Sequence, residues 1–296
     1  MARAGNEIEC TSCGRRYPVA HGIIDFAPNG HYDHFSSEEE LTPDHRRGLE
    51  LEVEGSRRRI ADFYLPLLRK HQPAARRVLD TGCGNGVSVE TLAQHGYDAW
   101  GNDLSELRAW QWRQRTLPER LLVANALTLP FADGYFDAVI SSGVIEHIGV
   151  AETSVPVYAV RALPDRDAQR LAFVRELARV VRPGGSIYID APNGGFPIDF
   201  WHSDAAGKPR FHSLRENFLP RYREIRTLAK TAMPRCRVAP VSPHKRLQFR
   251  QAGRHLHGKL LAPAADVLFR AMTVPGLRWL AGTAINPFLV VRIAKL

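Results

Sequence analysis

Cysteine is scarce in this chain: four in 296 residues, at positions 10, 13, 83 and 236. That spacing builds no disulfide framework, so the composition points to a reducing, cytoplasmic setting. No apolar run approaches the ~20 residues that cross a bilayer, and no secretory signal opens the sequence. Internal repeats and low-complexity tracts are also absent, which sets aside repeat arrays and disordered tails. Acidic residues run short in one place. Residues 205–296 hold three Asp and Glu against eighteen Lys and Arg, a net of +15, while the preceding 204 residues carry −6. The excess positive charge therefore belongs to the C-terminal third. It reads either as a solvated, Arg-rich surface or as the footprint of an anionic partner: a phosphate-bearing or acidic substrate, an anionic membrane surface, or nucleic acid. A chain of this length can bury a substantial core, as one large domain or two small ones.

The most informative stretch is Val78-Leu79-Asp80-Thr81-Gly82-Cys83-Gly84-Asn85-Gly86. Residues 77–80 read as a buried strand running into a Gly-rich turn and then a helix over 87–95. Three glycines at alternate positions allow a tight turn and a close backbone approach to a ligand. Asp80, at the strand's end, is placed to accept hydrogen bonds from a cationic or hydroxylated ligand. The run resembles motif I, strand-D-x-G-C-G-x-G, of the class I S-adenosylmethionine (SAM)-dependent methyltransferases. A bare G-x-G-x-x-G is shared with nicotinamide and flavin folds; the Asp two residues ahead and the Cys inside make this one more specific.

The following segments come in the order the resemblance implies. Residues 96–103 read as a second strand ending on Asp103, about 20 residues past the glycines, the spacing at which a carboxylate meets a ribose diol. Asp103 also suits the start of a helix near Ser105, where both are good caps. A third strand, Leu121-Leu122-Val123-Ala124-Asn125-Ala126, carries Ala-Asn-Ala where such enzymes often have G-D-A. The Asn125 oxygen can still accept a hydrogen bond from an adenine amino group. Leu129-Pro130-Phe131-Ala132-Asp133-Gly134-Tyr135-Phe136-Asp137 resembles the entry to the fourth strand in the branch that includes ubiquinone and sugar O-methyltransferases. Leu171, Val174, Leu177, Ala178 and Val181 fall at helical spacing, and Arg182-Pro183-Gly184-Gly185 ends that helix before a fifth strand. Phe288-Leu289-Val290-Val291-Arg292-Ile293 reads as the last strand. The resemblance covers residues 57–193 and returns at the C-terminus. It implies an α/β, Rossmann-like, doubly wound sheet of seven mostly parallel strands with an antiparallel last strand. It also implies SAM as cofactor, held by Asp80, Gly82, Cys83, Gly84, Gly86, Asp103, Leu104, Asn125, Ala126, Ser142 and Gly143.

Residues 1–30 look like half of a small zinc ribbon of the kind that resembles Trm112-like activators. Cys10 and Cys13 form a knuckle and His21 offers a third donor, but a closed zinc site needs four. No metal is expected here; a natural start upstream of Met1 is the alternative. Residues 31–56 read as a polar lead-in that folds over the cofactor, and 57–296 as the methyltransferase domain.

Methyl transfer from a sulfonium is an in-line displacement, and the cofactor supplies the reactivity. The protein must align the nucleophile and, for a hydroxyl, remove a proton. Ligands of open α/β sheets bind beyond the carboxyl ends of the strands, so the loop Ser141-Ser142-Gly143-Val144-Ile145-Glu146-His147-Ile148 is the place to look. His147 is the candidate general base, since imidazole titrates near neutrality; packing against the cofactor is the alternative. Some ubiquinone-type relatives bind a divalent metal through E-x-x-E-H. Gly143 replaces the first acid here, and Glu146 with His147 are two ligands, too few for a magnesium site. Asp199, Trp201, His202 and His212 are the substrate candidates: the polar groups for sugar hydroxyls, and Trp201 for stacking on a sugar face or lipid. The alternative for Phe196, Phe200 and Trp201 is anchoring the loop to the core. Residues 149–164 lengthen the neighbouring loop. Residues 217–230 and 255–272, the latter interrupted by Pro263, read as two helices of a basic, apolar lid inserted at about 194–285. The expected acceptor is a small molecule, sugar or lipid-linked glycan, with an anionic membrane surface as a peripheral partner. Nucleic acid is the competing partner, but no N-P-P-Y motif and no RNA-binding module accompany the basic third.

Overall fold

The computed structural model describes residues 2–4, 6–11, 13–28, 30, 43–153, 158–202, 210–212, 216–246 and 256–296. The expected lead-in over 31–42, and His255 at the start of the second lid helix, lie outside the described residues. The chain divides into two compact units, one of Met1–Ile140 with Val180–Arg182, the other of Ser141–Arg179 with Pro183–Leu296.

The first unit opens with four short strands: β1 (Ala2–Ala4), β2 (Glu7–Glu9), β3 (Arg16–Ala20) and β4 (Ile23–Asp25). They pair antiparallel in succession, with Ile8 opposite Tyr17 and Val19 opposite Ile24. Helix α1 (Pro43–Arg58) continues through a π-helical stretch, Arg59–Tyr64, into α2 (Leu65–His71). Strands and helices then alternate as β5 (Arg77–Thr81), α3 (Val87–Gln94), β6 (Asp98–Asp103), α4 (Glu106–Trp112), β7 (Leu121–Val123) and β8 (Phe136–Ser142). Residues 141–142 of β8 already belong to the second unit. Strand order is β1-β2-β3-β4-β7-β6-β5-β8, and β4, β7, β6 and β5 run parallel.

Val78, Leu79, Asp80 and Thr81 are all buried, the continuous burial of a parallel strand covered on both faces. Asp137, of the Phe-Asp pair in the motif, accepts hydrogen bonds from the backbone N–H of Arg76 at 2.6 Å and of Arg77 at 2.8 Å. That fixes where β5 begins. The sequence reading names no strand before residue 77, whereas in the structure β4 pairs with β7. Ile24 pairs with Leu122, and the Phe26 N–H donates to the Val123 carbonyl at 2.7 Å. An open strand edge is a template for further pairing, and β4 with its buried Ile23 supplies the cover.

The second unit begins with the end of β8 and a single 3₁₀ turn, Ile145–His147. A hairpin of β9 (Val150–Thr153) and β10 (Ala159–Ala162) occupies the lengthened loop. Next come α5 (Arg166–Val180), β11 (Val181–Pro192), the two-residue strands β12 (Ile198–Asp199) and β13 (Arg210–Phe211), α6 (Tyr222–Ala232), β14 (Cys236–Pro240), α7 (Leu256–Ala271), a 3₁₀ stretch Pro275–Gly282 and β15 (Phe288–Lys295). Val180–Arg182 belong to the first unit. The order is β11-β15-β14, and β15 runs antiparallel to both neighbours, with Ile293 opposite Ile187 on one side and Val238 on the other. An antiparallel last strand is what the α/β, Rossmann-like reading expects.

Two lid expectations change. The first lid helix starts at Tyr222, because Asn217 takes a left-handed backbone conformation (φ 51°) that a helix cannot contain. Pro263 does not interrupt the second: α7 runs through it. A helical proline removes a hydrogen bond. Packing of Leu268, Phe269 and Met272 against Leu280 and Ala281 offsets the loss. Among the described residues no helix is long and apolar enough to cross a membrane.

Candidate active site

In the first unit the Gly-rich turn follows β5 and ends on α3. Gly82, Gly84 and Gly86 all have positive φ, at 72°, 54° and 77°. Gly86 is the most constrained: a Cβ there would lie 2.7 Å from Leu121 Cδ1 and 3.1 Å from Trp112 Cδ1. Glycine is thus required for both the turn and the packing beneath it. The N–H groups of Gly82 and Cys83 donate to the Asn102 carbonyl at 2.8 and 3.0 Å, which hangs the turn from β6. Cys83 is buried, and burial pushes its thiol well above the ordinary range. It serves as packing, not as a nucleophile.

Asp80 is fully buried, with Arg59 Nη2 3.4 Å from its Oδ2. Asp103 accepts the Gly84 N–H on one oxygen at 2.9 Å and the Leu104 N–H on the other at 2.8 Å. Partial burial raises its pKa, while the Arg108 guanidinium and these N–H groups pull the other way. Asp103 is not the helix cap. Ser105 is, its Oγ accepting the Arg108 N–H at 3.2 Å. Asn125 turns its side-chain oxygen onto the Leu127 N–H at 2.9 Å, so one lone pair of the expected adenine acceptor is already used. Ala126 follows it, half-buried.

Ser142 and Gly143 fall in the second unit. Ser142 Oγ donates to Asp190 Oδ1 at 2.9 Å, and Arg246 donates to Ser142 Oγ at 2.6 Å and to Asp190 Oδ2 at 2.7 Å. Gly143 (φ 67°) donates its N–H to the Asp190 carbonyl at 3.0 Å. The loop that follows carries the chemistry. His147 Nδ1 lies 2.6 Å from Glu152 Oε1, and Tyr158 OH donates to the other Glu152 oxygen. Burial pulls the His147 pKa down, but the Glu152 hydrogen bond and the nearby Glu146 charge more than offset it, so it ends above the ordinary histidine value. His202 makes a parallel arrangement, with Nδ1 3.0 Å from Asp199 Oδ2. Asp199 also accepts the N–H groups of Trp201 and His202 at 3.0 and 3.1 Å. Burial pushes the Asp199 carboxyl up, and these bonds outweigh it and hold it low.

The rings of His147 and His202 meet edge to face at 5.2 Å, with Phe218 4.8 Å from His202. Glu146, His147 and His202 each present one ligand atom within 4.8 Å of the other two. The structure therefore joins two residues expected in separate roles, His147 and His202, and adds Glu146. The ring of Trp201 and the imidazole of His212 turn to other partners. Trp201 packs on Phe288 at 4.9 Å, and His212 donates Nε2–H to the Phe196 carbonyl.

Glu152, Tyr158, Arg170, Asp190 and Arg246 have no role in the sequence reading. Arg170 is the most consequential. It is fully buried and donates to the carbonyls of Glu146 at 3.0 Å, Ile148 at 3.2 Å and Phe218 at 2.5 Å, and to Glu224 Oε1 at 2.8 Å. One signal was available for it. Arg170 stands three and four residues before the buried Phe173 and Val174, on the apolar face of α5.

With this geometry in place, comparison with known proteins narrows the reading. Residues 79–189, from β5 through most of β11, match the family model described as a methyltransferase domain. This segment is therefore similar to a methyltransferase domain. Three curated relatives illustrate the likeness. A 2-methyl-6-phytyl-1,4-hydroquinone methyltransferase of Synechocystis is 30% identical over 44% of this chain and 37% of its own length. A probable S-adenosylmethionine-dependent methyltransferase of Mycolicibacterium smegmatis is 29% identical over 42% and 40%. The O-methyltransferase rstn1 of Aspergillus nomiae is 33% identical over 38% and 45%. The chain spans about two fifths of the length of these relatives.

Proposed function

We propose that this protein transfers a methyl group from S-adenosylmethionine to a hydroxyl of a small-molecule, sugar or lipid-linked acceptor, preferably one with an anionic group. The observation that carries the oxygen acceptor is the His147–Glu152 pair, a proton-taking group held in one orientation by a buried carboxylate. A hydroxyl needs such a group; an already neutral amine does not. The turn at Gly82–Gly86 with Asp80 and Asp103 holds the cofactor, and the proton is given up at the histidine cluster. Among the relatives, one is named as an O-methyltransferase, which agrees with this acceptor class. Screening hydroxyl acceptors with labelled S-adenosylmethionine tests the reading. Transfer to nitrogen or carbon with no oxygen product would overturn it.

The cofactor assignment makes its own prediction. Asp103→Ala should weaken S-adenosylmethionine binding by about 1–3 kcal/mol, the range for removing a charged hydrogen-bonding partner. Calorimetry reads this directly, and unchanged affinity removes Asp103 from the cofactor site.

The preference for an anionic acceptor rests on the charge of the C-terminal third and on α6. Arg221, Arg223 and Arg226 are exposed there, and an open basic depression is lined by Arg223, Arg226 and Lys230. Val267 (68% exposed) and Trp279 (63%) stand near Arg270 and Arg278 in sequence, a combination suited to an anionic lipid surface as the acceptor's source. Reversing Arg221, Arg223 and Arg226 to Glu should raise the acceptor KM about tenfold at low salt, where attraction is least screened, and leave cofactor affinity alone. Constant kinetics at low salt would leave the basic third as a solvated surface.

A further inference from the structure

Glu146 is 1% exposed, and its Oε2 has no hydrogen-bond partner. An unpartnered carboxylate oxygen at that depth is costly. It sits with two imidazoles whose Nδ1 atoms are each taken by a carboxylate, Glu152 for His147 and Asp199 for His202. Each ring therefore has Nε2 left as its free donor atom. A carboxylate on the far nitrogen is the arrangement that orients a metal-ligating histidine and raises its basicity. Tyr158 and the backbone N–H groups of Trp201 and His202 in turn hold those carboxylates. The set is a built site: three donor atoms within 4.8 Å of one another and a supporting hydrogen bond behind each imidazole.

We propose that Glu146, His147 and His202 bind one divalent transition-metal ion of the zinc type. Two imidazoles and one carboxylate favour such an ion over magnesium, which prefers oxygen ligands throughout. Three protein ligands leave a position open for a further oxygen. Ion and proton compete for His147, so a bound ion withdraws the proton-taking group on which the oxygen-acceptor reading above rests. The ligand set differs from E-x-x-E-H: Gly143 stands in place of the first acid, and the third donor comes from the turn after β12.

The test is titration of the full chain with Zn²⁺ by calorimetry, with Cys10→Ser and Cys13→Ser in place so that thiolates cannot compete. One ion per chain is expected. Glu146→Gln and His202→Asn should each lower the affinity by at least about tenfold, with circular dichroism confirming the fold. If one variant unfolds, the other decides. No stoichiometric ion, or unchanged affinity in the folded variants, overturns the proposal. S-adenosylmethionine binding is measured on the same samples. Cofactor binding without metal binding defeats the metal site alone, and loss of both in the parent chain defeats the methyltransferase reading as well.

Discussion

Arg170→Ala should destabilise the protein by about 3–5 kcal/mol, the cost of removing one partner from a buried charged network. The guanidinium is fully buried and serves three carbonyls as well as Glu224. Glu224 keeps Arg166 at 2.8 Å, so the loss falls mainly on the carbonyls of Glu146, Ile148 and Phe218. Those carbonyls sit on the loop that bears His147 and beside the ring that packs on His202. Turnover should therefore fall at temperatures where the variant is still folded. Arg170→Lys should recover only part of the stability, because an ammonium cannot reproduce the planar fork. Urea denaturation of the two variants checks the claim. A loss under about 1 kcal/mol for Arg170→Ala, the size of an ordinary neutral hydrogen bond, would mean that the carbonyls find other partners.

His147→Ala should lower turnover by about 10²-fold or more, the size of a lost proton-transfer group, with S-adenosylmethionine affinity nearly kept. The residues proposed to hold the cofactor, around Gly82–Gly86, lie in the first unit and His147 in the second. The expected signature is a fall in kcat with little change in the cofactor constant. A threefold loss, or a parallel loss of cofactor affinity, would assign His147 to packing on the cofactor. His147→Gln separates shape from chemistry: it approximates the ring's polar reach but takes no proton at neutral pH, so it should be as slow as the alanine variant.

The glycine turn and its flanking strands were the most legible part. Asp80, three glycines and Asp103 lie within 24 residues, and their roles depend on local backbone conformation: a strand end, positive φ at each glycine, a short helix. Such needs leave a mark in the amino acids themselves. The extension by β4 was hidden, because a three-residue strand has too few positions to show a period. Pro263 misled for a related reason. A local breaker is overridden when residues elsewhere pack against the helix, and that packing partner is not written beside the proline.

The sequence by itself determined the alternation of strands and helices and the glycine turn. Each follows from residues close together along the chain. Only the tertiary structure decided the grouping of Glu146, His147 and His202, the carboxylates behind the two imidazoles, and the Arg170 and Arg246 anchors. Those side chains come from segments far apart in sequence. They meet because the loop after β8, α5 up to Arg179 and the turn after β12 all belong to the second unit, where burial forces each polar group to find a partner. Pairing of that kind is set by the folded geometry.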